Sequence, residues 1–122
     1  MSKTSDSFNT YYKFNKINEE SPIIFIHGIG LTNGIWDQQI EFFKKYNTVV
    51  YDLIGHGKTP LNKNQINMKD FTKQLLKLVD CLNIHKFHLV GFSIGSLIAR
   101  DFASSHSDRL KSLTIFGTVY KR

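Results

Sequence analysis

Apolar residues fall along this chain in two alternating patterns, short unbroken runs and helical spacings. Residues 1–7 are polar and read as a frayed start. Tyr11 to Phe14 has the aromatic character of a strand and predicts an early antiparallel edge. Ile23 to Ile26 is a continuous apolar run, as expected of a strand buried on both faces. Beyond the turn residues His27-Gly28-Ile29-Gly30, Asn33 stands where it can cap a helix in which Trp36, Ile40 and Phe43 recur at helical spacing. Thr48 to Tyr51 is a β-branched strand, stopped by Asp52 and the turn Gly55-His56-Gly57. A polar loop over 58–66 leads into an amphipathic helix with Met68, Phe71, Leu75, Leu78, Val79 and Leu82 on one face. Next come a short strand, Phe87 to Val90, and a helical pattern from Ile94 that brings Leu97, Ile98 and Phe102 together. Leu113 to Phe116 closes the series as another apolar strand. Strands alternating with helices are the signature of right-handed βαβ units. The expected fold is therefore α/β, a mostly parallel sheet of five or six strands with helices on both faces.

Composition changes this picture little. The 122 residues make a single domain, large enough for a core but below the size of most α/β enzymes. Apolar residues at 41% and charged residues at 21% exclude a disordered chain. The longest apolar stretch, Ile23 to Ile26, is too short to span a bilayer, and the N-terminus is polar. No signal peptide, membrane role or nucleic-acid partner is expected. The net charge of +6 comes from dispersed lysines; Lys69, Lys73 and Lys77 line up opposite an apolar helix face, as a solvated surface does. The single cysteine, Cys81, is read as a buried structural thiol in a reducing cytoplasm.

Candidate chemistry enters with Gly91-Phe92-Ser93-Ile94-Gly95, a G-x-S-x-G placed between a strand and a helix. Its glycines let the backbone turn sharply without crowding a serine in a strained conformation. Two other motifs follow earlier strands, His27-Gly28 after the first and Asp52-x-x-Gly55-x-Gly57 after the second. Singly each motif is weak. Together, in this order and each at a predicted strand end, they resemble the N-terminal half of an α/β-hydrolase fold protein of the esterase, enol-lactonase and haloperoxidase-like branch. The resemblance covers about residues 10–120, nearly the whole chain.

That resemblance assigns roles residue by residue. Ser93 is the expected nucleophile, and the backbone N–H groups of Ile94 and Ile29 are the expected oxyanion hole, with both isoleucine side chains shaping an apolar acyl pocket. Gly28 and Gly30 let the loop approach a substrate, and Gly91 and Gly95 frame the serine. His27 orders its loop and is not the triad base. Asp52 is read as accepting hydrogen bonds within the turn Leu53 to Gly57, and Trp36 as core or pocket wall. Thr59 departs from the family, which more often has serine there. His88 starts the strand that Ser93 ends, about 16 Å away. His85 is farther still than His88, and His106 lies about 20 Å along the following helix. His27 and His56 alone share the serine's edge, and His27 is the nearer.

Ser93 falls in the last quarter of the chain, whereas the resemblance puts the acid and histidine of the triad, and the lid, in a later half. Two readings stay open. One is a serine hydrolase of small ester, thioester or lactone substrates, incomplete in these residues and needing a complementing polypeptide. The other is a catalytically inactive remnant, or an α/β module that binds a partner or itself through the open edge Leu113–Phe116. Neither implies a cofactor or a metal.

Overall fold

Four consecutive apolar residues need cover on both sides, and Ile23–Ile26 finds it near the middle of a six-stranded sheet. The computed structural model describes residues 2–117. Its strands are β1 (Ser2–Lys3), β2 (Tyr11–Asn15), β3 (Ile23–Ile26), β4 (Thr48–Tyr51), β5 (Phe87–Phe92) and β6 (Leu110–Phe116), in the spatial order β1-β2-β4-β3-β5-β6. The strands β4, β3, β5 and β6 are mutually parallel, and β1 and β2 add antiparallel pairs on the β4 side. Three α-helices join them: α1 (Asp37–Phe42), α2 (Met68–Cys81) and α3 (Ile94–His106).

Register decides which side chains meet. Ile24 is level with Val49 and Leu89, and Phe25 with Val50 and Val90. Because side chains alternate across a sheet, these are two layers of opposite orientation. Ile24, Val49 and Leu89 join the main core with Leu75, Leu78, Ile98 and Phe102 from α2 and α3. Phe25 and Val50 pack on the other face with Trp36, Ile40 and Phe43 around α1. Burying each such side chain is worth about 1.5–3 kcal/mol. The split follows from handedness. The chain steps one way along the sheet from β3 to β4 and the opposite way from β4 to β5 and β6, so right-handed crossovers put α1 on one face and α2 and α3 on the other.

Several local expectations are corrected. Residues 2–7 are not frayed: Ser2 and Lys3 pair with Tyr12 and Tyr11, so β2 is flanked and is not the outermost strand. Asp6 holds this start in place, its Oδ1 accepting from the Thr4 hydroxyl, Phe8 N–H and Asn9 N–H, while Phe8 buries its ring. The helical stretch before α1 is capped by Thr32, whose hydroxyl accepts from Gly34 N–H at 3.2 Å; Asn33 is its buried first residue. Cys81 is exposed, because it lies two residues beyond the buried Val79 and so about 200° around the helix. The expected edge is present: β6 is outermost, with Leu113, Ile115 and Phe116 exposed.

Candidate active site

Ser93 follows β5 directly and precedes the first residue of α3. Its backbone is left-handed, φ 60° and ψ −121°, a conformation that costs a non-glycine residue about 1–3 kcal/mol. The turn is fastened on both sides, by Ser93 N–H to Phe116 O at 3.1 Å and Ser96 N–H to Ser93 O at 2.9 Å. The Ser93 hydroxyl does not cap the helix it precedes. The flanking glycines are needed for space and not for torsion, since neither has a positive φ. A Cβ on Gly91 would lie 2.3 Å from Gly95 O, and one on Gly95 would lie 2.5 Å from Ile26 O.

His27, Asp52 and Ser93 follow the adjacent parallel strands β3, β4 and β5, so all three share one edge of the sheet. The order of connection reverses between β3 and β5, and in open α/β sheets the crevice at such a reversal is where ligands bind. Gly28 closes that crevice on Ser93: a Cβ on Gly28 would sit 3.2 Å from the serine Cβ. Residues 28–31 form a β-turn, with Leu31 N–H on Gly28 O at 3.2 Å and Gly30 at φ 76° in the position that favours glycine. Such a turn does not use the N–H of its second residue. That residue is Ile29, whose N–H bonds to no other described residue. Ile94 opens α3, and the first N–H groups of a helix lack intrahelical acceptors. Ile29 is 64% exposed.

His27 is fully buried and both ring nitrogens are engaged. Nδ1–H donates to Gly28 O at 2.7 Å, and Nε2 accepts from Leu53 N–H at 3.0 Å, which fixes a neutral tautomer. Burial lowers its pKa below the ordinary 6.5, and nearby His56 adds to this against the opposing pull of the Gly28 carbonyl and Asp52. Asp52 corrects the local-turn expectation. Its Oδ2 accepts from Lys58 N–H at 2.9 Å, beyond the turn Leu53 to Gly57, and its Oδ1 accepts from both Asn33 N–H and Asn33 Nδ2–H at 2.8 Å. Gly57 leaves room for this carboxylate, since a Cβ there would lie 2.3 Å from Oδ2. Thr59 is buried, donating to Asp52 O at 2.8 Å and accepting from Tyr11 N–H at 2.9 Å.

The state of His27 gives a pH prediction. An unfolded imidazole titrates near 6.5 and the folded one lower, so between those values the unfolded chain binds more protons. The stability tied to neutral His27 is whole above about pH 6.5 and falls as pH drops toward the folded value, by up to about 1.4 kcal/mol per unit. Asp70, held down first by the Asn67 N–H, and Asp101, held down first by the Thr72 hydroxyl, both titrate below 3.8 and act in a separate, more acidic window. Urea unfolding between about pH 7.5 and 5.5 should show the loss in the parent chain and a flatter profile in His27→Gln. An unchanged slope in that variant would remove His27 as the cause.

His56 lies at this edge beside His27, and the remaining histidines stay away from it. His88 enters β5 level with Ile23 and bonds Ser112, His85 lies in the loop between α2 and β5, and His106 ends α3 against Phe102. Trp36 is buried against Phe25 as core. Among the described residues there is no group of three His, Cys, Asp or Glu fit for a metal, and no helix long and apolar enough to cross a membrane. The sequence reading missed Asn33 as the partner of Asp52 and Gln74 as a buried polar hub. Gln74 accepts from Ile54 N–H at 3.2 Å and donates to Asp52 O and Thr10 Oγ1. The signal for Gln74 was available, since it lies on the apolar face defined by Phe71, Leu75 and Leu78.

The strand order, the left-handed serine and the facing turn define a class of protein, and comparison with known families gives the same one. The α/β hydrolase fold family model matches residues 21–120. The chain belongs to the α/β-hydrolase family. It is 32% identical over 105 residues to an (E)-2-((N-methylformamido)methylene)succinate hydrolase of Acinetobacter baylyi, a match spanning 85% of this chain and 40% of that protein. A 3-oxoadipate enol-lactonase of the same organism is 31% identical over 105 residues, covering 84% and 39%. Among solved structures, a carboxylesterase study from the thaumarchaeon Nitrososphaera gargenis supplies a chain superposing with a TM-score of 0.89 at 30% identity, over 100% of this chain and 46% of that one. The chain thus spans about 40% of the length of the curated relatives it matches.

Proposed function

We propose that this chain is the nucleophile-bearing part of a serine hydrolase acting on small carboxylic esters, thioesters or lactones. The observation that carries the reading is Ser93 itself, held in a left-handed backbone at the strand reversal and facing the Gly28–Leu31 turn. Ser93 Oγ attacks the carbonyl carbon and passes its proton to a base. The carbonyl oxygen takes up the electron pair as an oxyanion between the N–H groups of Ile29 and Ile94. Collapse expels the alcohol or thiol with a proton, and water then cleaves the Ser93 acyl ester in a second round of the same steps. The enol-lactonase and carboxylesterase relatives favour this substrate class. The acid and histidine come from polypeptide beyond these residues, and the committed nitrogens of His27 argue against an internal substitute. No cofactor is called for, and the cytoplasm is the proposed location. Fluorophosphonate labelling in the presence of polypeptide that completes the fold, lost in Ser93→Ala, tests the nucleophile.

A second reading is favoured by β6, which no other strand pairs with on its outer side among the described residues: a non-catalytic module that binds a partner or a second copy. An exposed apolar edge strand is a template for pairing. The 122-residue chain should therefore sediment as oligomers or aggregates, and Leu113→Lys should shift it toward monomer. A monodisperse parent chain that unfolds cooperatively at high temperature would count against a pairing edge.

A further inference from the structure

We infer that Asp52 and Asn33 are positioning residues that hold the Ile29 N–H toward Ser93, an inference resting on the hydrolase reading above. Asp52 is 1% exposed and pairs with no cation among the described residues. A buried carboxylate needs hydrogen bonds in place of water, and here they are aimed across the site. Two of the three donors to its carboxylate belong to Asn33, at the far end of the loop that carries Ile29. The near end of that loop is fixed by His27, which bonds Gly28 O and Leu53 N–H. The loop between β3 and α1 is thus pinned at both ends to the loop after β4, with the Gly28–Leu31 turn as the span between.

Asp52 is rigid in its turn. Its N–H donates to Tyr11 O at 3.0 Å, and its carbonyl accepts from the Thr59 hydroxyl and from Gln74 Nε2. Strand β2, helix α2 and the loop after β4 therefore converge on one residue, which passes that rigidity to Asn33. The arrangement explains why asparagine is used at 33. Its backbone and side-chain N–H groups reach one carboxylate oxygen together, which neither aspartate nor alanine can do.

The test is amide hydrogen exchange by NMR on the 122-residue chain, with fluorophosphonate labelling of Ser93 in parallel. Asn33→Ala should speed exchange at Leu31 N–H, the bond closing the turn, by about ten- to a hundredfold. Leu53 N–H, held by His27, and Ser93 N–H, held by Phe116 O, serve as internal references and should not change. Asp52→Asn keeps the shape but sets an amide group against a donor, either Lys58 N–H or Asn33. It should reproduce the effect and supplies the second variant should Asn33→Ala not fold. Labelling should slow by about tenfold or more as the turn loosens. Unchanged exchange at Leu31, or an equal rise at all three amides, overturns the inference. So does faster Leu31 exchange with an unchanged labelling rate. A parent chain that labels too slowly to follow is what the absence of a base predicts and leaves the nucleophile reading standing, and exchange alone then decides the role of Asp52 and Asn33.

Discussion

Gly95→Ala should abolish the native fold at moderate temperature, whereas Gly30→Ala should leave a folded protein. The contrast separates two reasons for a glycine. At Gly30 the φ of 76° disfavours a side chain, but nothing lies within 4 Å of the new methyl, so the cost is about 1–2 kcal/mol of backbone strain. At Gly95 the torsion is ordinary, but the methyl meets backbone, 2.5 Å from Ile26 O and 2.9 Å from His27 O. No rotamer relieves a clash with main chain. Helix α3 would have to lift off the end of β3, taking Ile98, Ala99 and Phe102 with it from the core. Overpacking costs about 1–3 kcal/mol where side chains can yield, and the loss here should exceed that range. A domain stable by about 5–15 kcal/mol has little margin for it. Gly91→Ala should behave likewise, because its methyl would lie 2.3 Å from Gly95 O. Chemical denaturation of the three variants checks the order. Equal losses at Gly30 and Gly95 would show that torsion, and not close approach, sets the requirement.

The elements legible in the sequence were those with a strong local signature. Ile23–Ile26 and Thr48–Tyr51 announce buried strands because every position is apolar or β-branched, and both form where expected. The α2 stripe and the strand–serine–helix sequence are equally local, and α2 and α3 match them closely. What escaped was long-range or depended on which atoms face which. Asn33 and Asp52 are 19 residues apart, and no spacing rule relates them. Asn33 looks like a cap because asparagine often is one, yet a buried carboxylate claims its side chain and Thr32 takes the role. Ser2 and Lys3 form a strand because Tyr11 and Tyr12 offer them an edge, not because of their own propensity. The reason for each glycine was hidden for the same cause: G-x-S-x-G records that no side chain is tolerated, but whether torsion or a neighbouring backbone forbids it is a fact of packing.

A protein of these 122 residues alone should turn over a short-chain p-nitrophenyl ester at only about 10⁻⁵ s⁻¹. The figure takes a typical kcat of about 10 s⁻¹ and the loss of about 10⁶ that follows removal of a triad's general base. Geometry supports so large a deficit. Nδ1–H of His27 donates a hydrogen bond to Gly28 O, and Nε2 accepts one from Leu53 N–H, so neither can take a proton from Ser93 without breaking the loop's anchor. His56 has its Nδ1 on Ile54 O and lies tilted against His27, with ring centroids 5.2 Å apart. Ser93→Ala should therefore change the slow rate little. What should change it is polypeptide that completes the fold along β6, whether as a longer chain or an added one, since the strand beside Ser93 is then no longer an edge and a base can be presented there. Restoring about 10⁵- to 10⁶-fold in that form, and losing it again in Ser93→Ala, is the expected result. Fast turnover or labelling without any addition would mean a base exists within these residues. If that activity also survives His27→Ala, the arrangement of the site described above is wrong.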